Sequence, residues 1–336
     1  MIEDRHISLA HGNGGRFMRD LIDDIFARHL GNPFLDVGLD AAPIALDPGM
    51  KAVITTDGFT VTPLEFPGGD IGSLAVNGTV NDLAVSGAEP LYLTLGAVIE
   101  EGLEIARLDR IVRNLGAAAR AAGVCVVAGD TKVVPRGEGG GLYLTTTGIG
   151  QRALDCGLGI ESIRENDAIL VSGPVGDHGI AIMLARGEFD LSGAVTSDCA
   201  AVTPLTLPLA ANSAVRFMRD PTRGGLATVA HEIAQATMMD VHLSERAIPV
   251  QDSVRSVCEI LGYDPCYLAC EGRVVAIVAP DAAEGILAAW RGLPGGADAR
   301  AIGTLRKGRG RVILETAIGG ERLLDELEDD PLPRIC

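Results

Sequence analysis

Pro67-Gly68-Gly69-Asp70-Ile71-Gly72-Ser73-Leu74-Ala75-Val76-Asn77-Gly78-Thr79-Val80-Asn81-Asp82-Leu83-Ala84 decides how the first half of the chain is read. Asp70 stands where an N-cap carboxylate accepts from open backbone N–H groups. The glycines before it let such groups approach an anion at the positive end of a helix. The pattern predicts a helix from about Ile71 to Ser86. At about 3.6 residues per turn, Asn77 and Asn81 return to nearly the angle of Asp70, so a polar line crosses an otherwise small and apolar helix. It ends at Asp82, whose charge is unfavourable near a helix C-terminus. Two readings stay open: an N-cap with one solvated face, or a row of ligands for phosphate and metal.

The flanking segments favour the second. Upstream, Gly-rich His11–Gly15 precedes an amphipathic helix from about Arg16 to His29, with short strands expected at Ala45-Leu46 and Lys51–Thr56. Asp57-Gly58 follows the latter strand directly. Downstream come a strand at Leu91–Val98, a helix at Ile105–Ala122 and the apolar run Val124–Ala128, which ends in Gly129-Asp130-Thr131-Lys132. Asp40 occupies a similar turn before Ala41-Ala42-Pro43. Carboxylates at strand ends beside glycines are suited to hard divalent cations and their nucleotides. Strands alternate with helices but several are short, so a mixed sheet is expected. Neither GxxxxGK[ST] nor a GxGxxG after a strand occurs, which disfavours the usual mononucleotide and dinucleotide folds.

A second unit is expected to begin near Glu161, with the boundary at 152–162. Its buried strand, Asp167–Val171, runs through Ser172-Gly173-Pro174-Val175-Gly176-Asp177-His178-Gly179 into a helix at His178–Ala185. Asp220-Pro221-Thr222-Arg223-Gly224-Gly225 does the same before a helix at Leu226–Thr237. Arg223 is one of few cations placed to meet phosphate, and the paired glycines permit close backbone approach. Having both turns points to an anion site shared by the two domains. A strand at Arg273–Ala279, a helix at Ala282–Trp290 and a strand at Arg311–Glu315 complete the unit. The domains are therefore read as 1–155 and 160–315, with a mobile tail at 316–336 that ends in Pro331-Leu332-Pro333-Arg334-Ile335-Cys336.

At 336 residues two domains are the natural expectation. A net charge of -17 opposes nucleic-acid backbones and anionic membranes, and aromatics at 4% leave little for base stacking. No nucleic acid and no membrane are expected as partners. The N-terminus is polar and no apolar run approaches membrane-spanning length. Seven scattered cysteines without a CxxC pair read as free thiols in a reducing, cytoplasmic setting. Cys266 and Cys270 have metal-like spacing but no second ligand pair, so buried structural thiols are expected there.

Taken together, HGNGG (11–15), DGFTVTPLEFPGGDIGSLAVNGTVNDLA (57–84), VAGDTKVV (127–134), GPVGDHG (173–179), MRDPTRGGLA (218–227) and the terminal PRIC resemble the HypE family of hydrogenase maturation factors. That family belongs to the ATP-binding superfamily of aminoimidazole ribonucleotide synthetase, selenophosphate synthetase and thiamine monophosphate kinase. Asn13 stands where the family carries a smaller Ser, a minor departure.

The resemblance implies an α+β fold like that of aminoimidazole ribonucleotide synthetase. Its N-terminal mixed-sheet domain pairs in a homodimer as a shared β-barrel, and its C-terminal domain is an α/β sandwich. It implies ATP and Mg as cofactors, and Cys336 as a thiol loaded with a carbamoyl group by a HypF-like carbamoyltransferase. ATP then drives dehydration to a thiocyanate, and the cyano group passes to a HypC and HypD-like acceptor complex for nickel–iron hydrogenase. Metal binding is carried over to Asp57, Asp82 and Asp130, with Asp40 in addition. Nucleotide binding is carried to Asp57, Asp70, Asn77, Asn81, Asp82, Asp130, Thr131, Asp177 and Arg223. Lys132 is expected to stabilise the transferring phosphate, and Glu271, in Ala269-Cys270-Glu271-Gly272, to act as the base. The rivals are a superfamily kinase or synthetase acting on a diffusible substrate, and a non-catalytic carrier.

Overall fold

The computed structural model describes residues 2, 4–187, 194–328 and 334–336. The chain divides into two compact units. One comprises the chain up to Leu83, Glu89–Leu154 and Cys336; the other comprises Ala84–Ala88 and Asp155–Ile335.

In the first unit, strands β1 (Lys51–Phe59), β2 (Glu89–Glu100), β3 (Cys125–Val134) and β4 (Leu142–Arg152) form a four-stranded sheet in the order β1-β4-β2-β3. Only β2 and β3 pair in parallel, so the sheet is mixed as the short strands suggested. Strand β4 has no counterpart among the expected elements, because its Thr145-Thr146-Thr147-Gly148 run hides the apolar alternation. Ala45-Leu46, expected as a strand, joins no ladder; the Ala45 carbonyl instead accepts from the Tyr92 hydroxyl at 3.1 Å. The helix expected over 16–29 is present as α1 (Arg16–Leu21), continued by a π-helical Ile22–Ala27 and by Arg28–Leu30.

Helix α2 (Ile71–Val85) is buried almost all round. Small residues make that possible. A Cβ on Gly72 would lie 2.5 Å from the Ile111 carbonyl of α3 (Ile105–Ala121), and one on Gly148 would lie 2.7 Å from Thr79 Cγ2. The Thr79 hydroxyl bonds that of Thr146, which in turn donates to the Ala75 carbonyl at 3.2 Å. Asp70 caps the helix as predicted, accepting from the Ser73 N–H at 2.8 Å. The solvated-face reading fails: Asn77 and Asn81 are only 8% and 1% exposed.

The second unit is built on a seven-stranded sheet. Its strands are β5 (Ala168–Val171), β6 (Val215–Arg219), β7 (Met239–Ser244), β8 (Val275–Val278), β9 (Arg300–Lys307), β10 (Val312–Glu315) and β11 (Glu321–Leu323), in the order β11-β10-β7-β9-β5-β8-β6. Alternate residues feed two cores, as a period of two requires. Ile169, Val171, Val275 and Ile277 pack with Leu226, Val229 and Ile233 of α6 (Gly225–Thr237). Ala168, Leu170, Ala276 and Val278 pack with Leu205 and Leu209 of α5 (Thr203–Ala210) and with Ile286 and Trp290 of α8 (Ala283–Arg291). Helix α4 (Asp177–Arg186) follows β5, and α7 (Asp252–Leu261) follows β7. This is the expected α/β sandwich.

The units change over at 154–155, and Ala84–Ala88 go with the second unit rather than the first. The tail expected to be mobile from 316 begins as structure. Strand β11 pairs with β10, Leu324 is buried, and its carbonyl accepts from His231 Nε2 at 2.8 Å. Pro331 and Pro333 lie outside the described residues. Among the described residues no helix is long and apolar enough to cross a membrane.

Helix α2 reaches the sheet only because position 148 lacks a side chain. Gly148→Val is expected to lower stability by about 1–3 kcal/mol through overpacking, read as a lower denaturation midpoint. Gly58→Ala, whose Cβ meets nothing within 4 Å, is the control expected to leave the midpoint unchanged.

Candidate functional site

In the first unit, Asp40, Asp130 and Thr131 line a cavity of about 150 Å³ together with Met18, Phe26 and Leu95. Strand β3 carries Asp130 and Lys132 on one face. The Lys132 ammonium lies 2.6 Å from Asp130 Oδ2, and the Thr131 N–H donates to Asp130 Oδ1 at 2.9 Å. Both side chains of that ion pair are 64% exposed, so the pair is weak and Lys132 is readily redirected to an arriving anion. The buried Thr131 hydroxyl has no hydrogen-bond partner among the described residues, an opening a ligand can fill.

The four expected metal ligands do not converge. Asp57 sits on β1 opposite Thr146, and Asp82 accepts from the Thr55 hydroxyl at 2.8 Å. Asp130 lies on β3, and β4 and β2 stand between β1 and β3. At about 4.8 Å per strand spacing, those two edges are about 14 Å apart. One ion within one chain therefore cannot be held by all four, and among the described residues no three His, Cys, Asp or Glu side chains are grouped to hold a metal. Asp40 and Asp130 line the same cavity, and Asp82 reaches β1, which carries Asp57. Asp70 is also reassigned: its carboxylate is occupied by the Ser73 N–H and by the Asn114 amide at 2.6 Å, which makes it a structural cap. The Cys336 carbonyl oxygen accepts from Thr60, just past β1, from the N–H at 3.0 Å and the hydroxyl at 3.2 Å.

In the second unit the three glycine-bearing segments pack together. The Gly176 N–H donates to Cys270 Sγ at 3.3 Å, the Gly179 N–H to the Ala269 carbonyl at 3.1 Å, and the Cys270 N–H to the Pro221 carbonyl at 3.0 Å. Gly224 and Gly225 adopt φ of 75° and 59°, and a Cβ on Gly225 would stand 2.5 Å from the Leu268 carbonyl; both facts explain the glycine pair. Arg223 is exposed on this turn, and Glu271, next to Cys270 in sequence, is buried. Burial pushes the Cys266 and Cys270 thiols well above their ordinary range, as expected of structural cysteines.

At the centre of this packing Arg273 binds two buried carboxylates, Asp177 at 3.1 Å and Asp198 at 3.3 Å, and donates to the Pro174 carbonyl at 2.8 Å. Asp198 also accepts from the N–H groups of Glu271 and Gly272 at 3.0 and 3.2 Å. Asp177 Oδ2 accepts from Gln251 at 2.8 Å, whereas Oδ1 has no partner among the described residues. Burial, followed by repulsion from Asp198, raises the Asp177 carboxyl to about 6. Beside it His178 is fully buried, its Nε2 2.8 Å from the Ile335 carbonyl and its Nδ1 2.7 Å from the Ser197 hydroxyl. Burial lowers its pKa and keeps the ring neutral.

Sequence reasoning singled out Asp177 and Glu271 but missed Asp198, Arg273, Ser197, His178 and Thr60. His178 stood in a recognised motif but drew no role of its own. The others had no local signal, since their partners are distant in the chain.

Because the folded Asp177 holds its proton more tightly than the unfolded residue, it opposes folding progressively as pH rises from about 4 to about 6. Asp177→Asn removes that titration. The midpoint of the variant minus that of the parent is expected to grow across this window and level off above it, as read by thermal denaturation at a series of pH values. A difference independent of pH contradicts the assignment.

Residues 38–151 match the family AIR synthase related protein, N-terminal domain, and residues 164–315 match the corresponding C-terminal domain. The carbamoyl dehydratase HypE of Azotobacter vinelandii is 46% identical over 332 residues, covering 98% of this chain and 97% of the relative. A crystal structure of the hydrogenase maturation protein HypE in complex with ATP superposes with a TM-score of 0.93 at 45% identity, covering 98% of this chain and 99% of that one. A chain from a crystal structure of a HypE–HypF complex matches with a TM-score of 0.80 at 40% identity, covering 91% and 99%. With likeness of this degree along nearly its whole length, the chain belongs to the HypE family of the AIR synthase related fold.

Proposed function

We propose that this chain uses ATP to dehydrate an S-carbamoyl group on its own Cys336 to a thiocyanate, supplying cyanide for the iron of nickel–iron hydrogenase. One observation carries this reading beyond the family likeness. The backbone at Ile335, next to the reacting thiol, is bound by a buried His178 that is part of the GPVGDHG turn.

An amide oxygen is a poor leaving group. Transfer of the γ-phosphoryl to the carbamoyl oxygen turns its departure into loss of phosphate. Removal of the nitrogen protons and cleavage of the C–O bond leave S–C≡N, with ADP and phosphate released. The protein's task is alignment and charge neutralisation. Lys132, loosely held by Asp130, meets the charge of the transferring phosphoryl. Glu271 takes a proton from nitrogen. Asn77, Asn81 and Arg223 contribute to phosphate binding, and Asp177 anchors the Gly-rich turn on Arg273.

The hard carboxylate oxygens of Asp40 and Asp130, facing one cavity, fit Mg, which uses few protein carboxylates and takes remaining ligands from phosphates and water. When bound, that ion neutralises phosphate charge. The cavity is too small for a whole nucleotide, and the apolar lining of Met18, Phe26 and Leu95 suits the base. Strand β1 is an edge with Ile54 69% exposed, which supports a homodimer that covers it. A HypF-like carbamoyltransferase loads the thiol and a HypC and HypD-like complex receives the cyano group. Seven free cysteines suit a cytoplasmic setting.

In single-turnover assays of carbamoyl-loaded protein, Lys132→Ala and Glu271→Ala are each expected to slow phosphate release about 100-fold or more. An alanine appended after Cys336 is expected to abolish the reaction while leaving ATP binding intact. ATP turnover unchanged on removal of Cys336 would favour a kinase acting on a diffusible substrate; failure to bind ATP would favour a carrier.

A further inference from the structure

We infer that His178 is a positioning residue for the tethered substrate: its neutral ring clamps the penultimate carbonyl and so fixes where the Cys336 thiol is presented. The inference rests on the proposed role of Cys336. Its grounds are geometric. A backbone carbonyl only accepts, so the 2.8 Å contact to Ile335 requires the proton on His178 Nε2. In a neutral ring Nδ1 then accepts, and the Ser197 hydroxyl at 2.7 Å is its donor. The Ser197 hydroxyl, whose oxygen accepts from the Cys199 N–H at 3.0 Å, turns its own proton to Nδ1 and so supports the tautomer that the Ile335 carbonyl requires. A buried imidazole used only to cap a helix has no need of that arrangement.

The adjoining residues are fixed in the same way. The Arg334 carbonyl accepts from Arg186 Nη2 at 2.9 Å, at the far end of the helix that His178 begins. Two successive carbonyls are therefore gripped by two side chains of α4. Arg334 itself has φ of 56°, a left-handed conformation that a non-glycine residue adopts only when its surroundings hold it. The Ile335 side chain is 3% exposed. The Cys336 main-chain oxygen in turn accepts from the Thr60 N–H at 3.0 Å and hydroxyl at 3.2 Å. Holding a reactant in this way converts the tail's search into an effectively intramolecular presentation. The clamp also has to release, because the partner that loads the thiol must reach it; one carbonyl is held by a neutral imidazole and the other by a guanidinium.

The test is the rate at which a small alkylating reagent modifies Cys336 in the full chain, read by mass spectrometry of the terminal peptide, with no ATP and no carbamoyl donor. Cys125 and Cys156 are half-buried and serve as internal references; Cys199 is set aside, since its N–H donates to the Ser197 hydroxyl that meets His178. His178→Phe, which fills the space without a donor, is expected to speed Cys336 alkylation roughly ten-fold, the equivalent of one lost hydrogen bond, with the reference rates unchanged. His178→Gln, which keeps a donor, is expected to stay near the parent. If the reference cysteines of the Phe variant also accelerate, the smaller His178→Leu, likewise without a donor, decides the question by the same criterion. On carbamoyl-loaded protein the donor-less variant is expected to load normally and dehydrate slowly. Equal Cys336 alkylation in the parent and in a folded donor-less variant overturns the positioning role and leaves the dehydratase reading intact. Faster alkylation with no dehydration in any form, parent included, leaves the clamp and removes the dehydratase.

Discussion

Arg273 bridging Asp177 and Asp198 is the constraint on which the second unit's site depends. One guanidinium and two carboxylates are enclosed together, with side chains 12%, 2% and 1% exposed. Burying charge is costly unless each group is paired and hydrogen-bonded. The arrangement meets that cost by recruiting backbone. Asp198 binds the N–H groups of Glu271 and Gly272, Arg273 binds the Pro174 carbonyl, and Gln251 supports Asp177. The cost of the second negative charge shows in the raised Asp177 carboxyl. These bonds fix the 173–179 turn against 268–273, and that turn in turn aims His178.

The glycines follow from the same constraint. Gly272 has no room for a side chain, since a Cβ there would stand 1.9 Å from the Asp198 carbonyl. Gly225 is similarly confined against Leu268. What looked in the sequence like phosphate-cradling glycines are first of all places where three segments touch.

The fold was legible wherever a signal was local. Helix α2 could be read from its cap and its small apolar residues, and β5 from an uninterrupted apolar run ending in a Gly/Pro turn. Strand β4 escaped because three threonines and a glycine suppress alternation, although Thr146 is what anchors α2. The site was legible only in part. Asp130 and Lys132 are two apart on one strand, so their pairing follows from period two. By contrast, Asp57 and Asp130 both read as strand-end residues although β1 and β3 run on past them, and nothing local tells that two strands separate them. Asp70 had the signature of a ligand and is a cap, since the two roles demand the same residue beside a helix start. Asp198 lies 75 residues before Arg273 and could not be paired with it from one sequence.

On the proposed function Cys336 is a substrate rather than a nucleophile in the usual sense, delivered by its own backbone to an ATP-using body. The mass of the C-terminal peptide tests this most directly, measured after incubation first with a carbamoyl donor system and then with ATP. The expected result is a carbamoyl adduct on Cys336 that loses one water when ATP is added. An adduct that stays unchanged by ATP, or a thiol that never gains one, contradicts it.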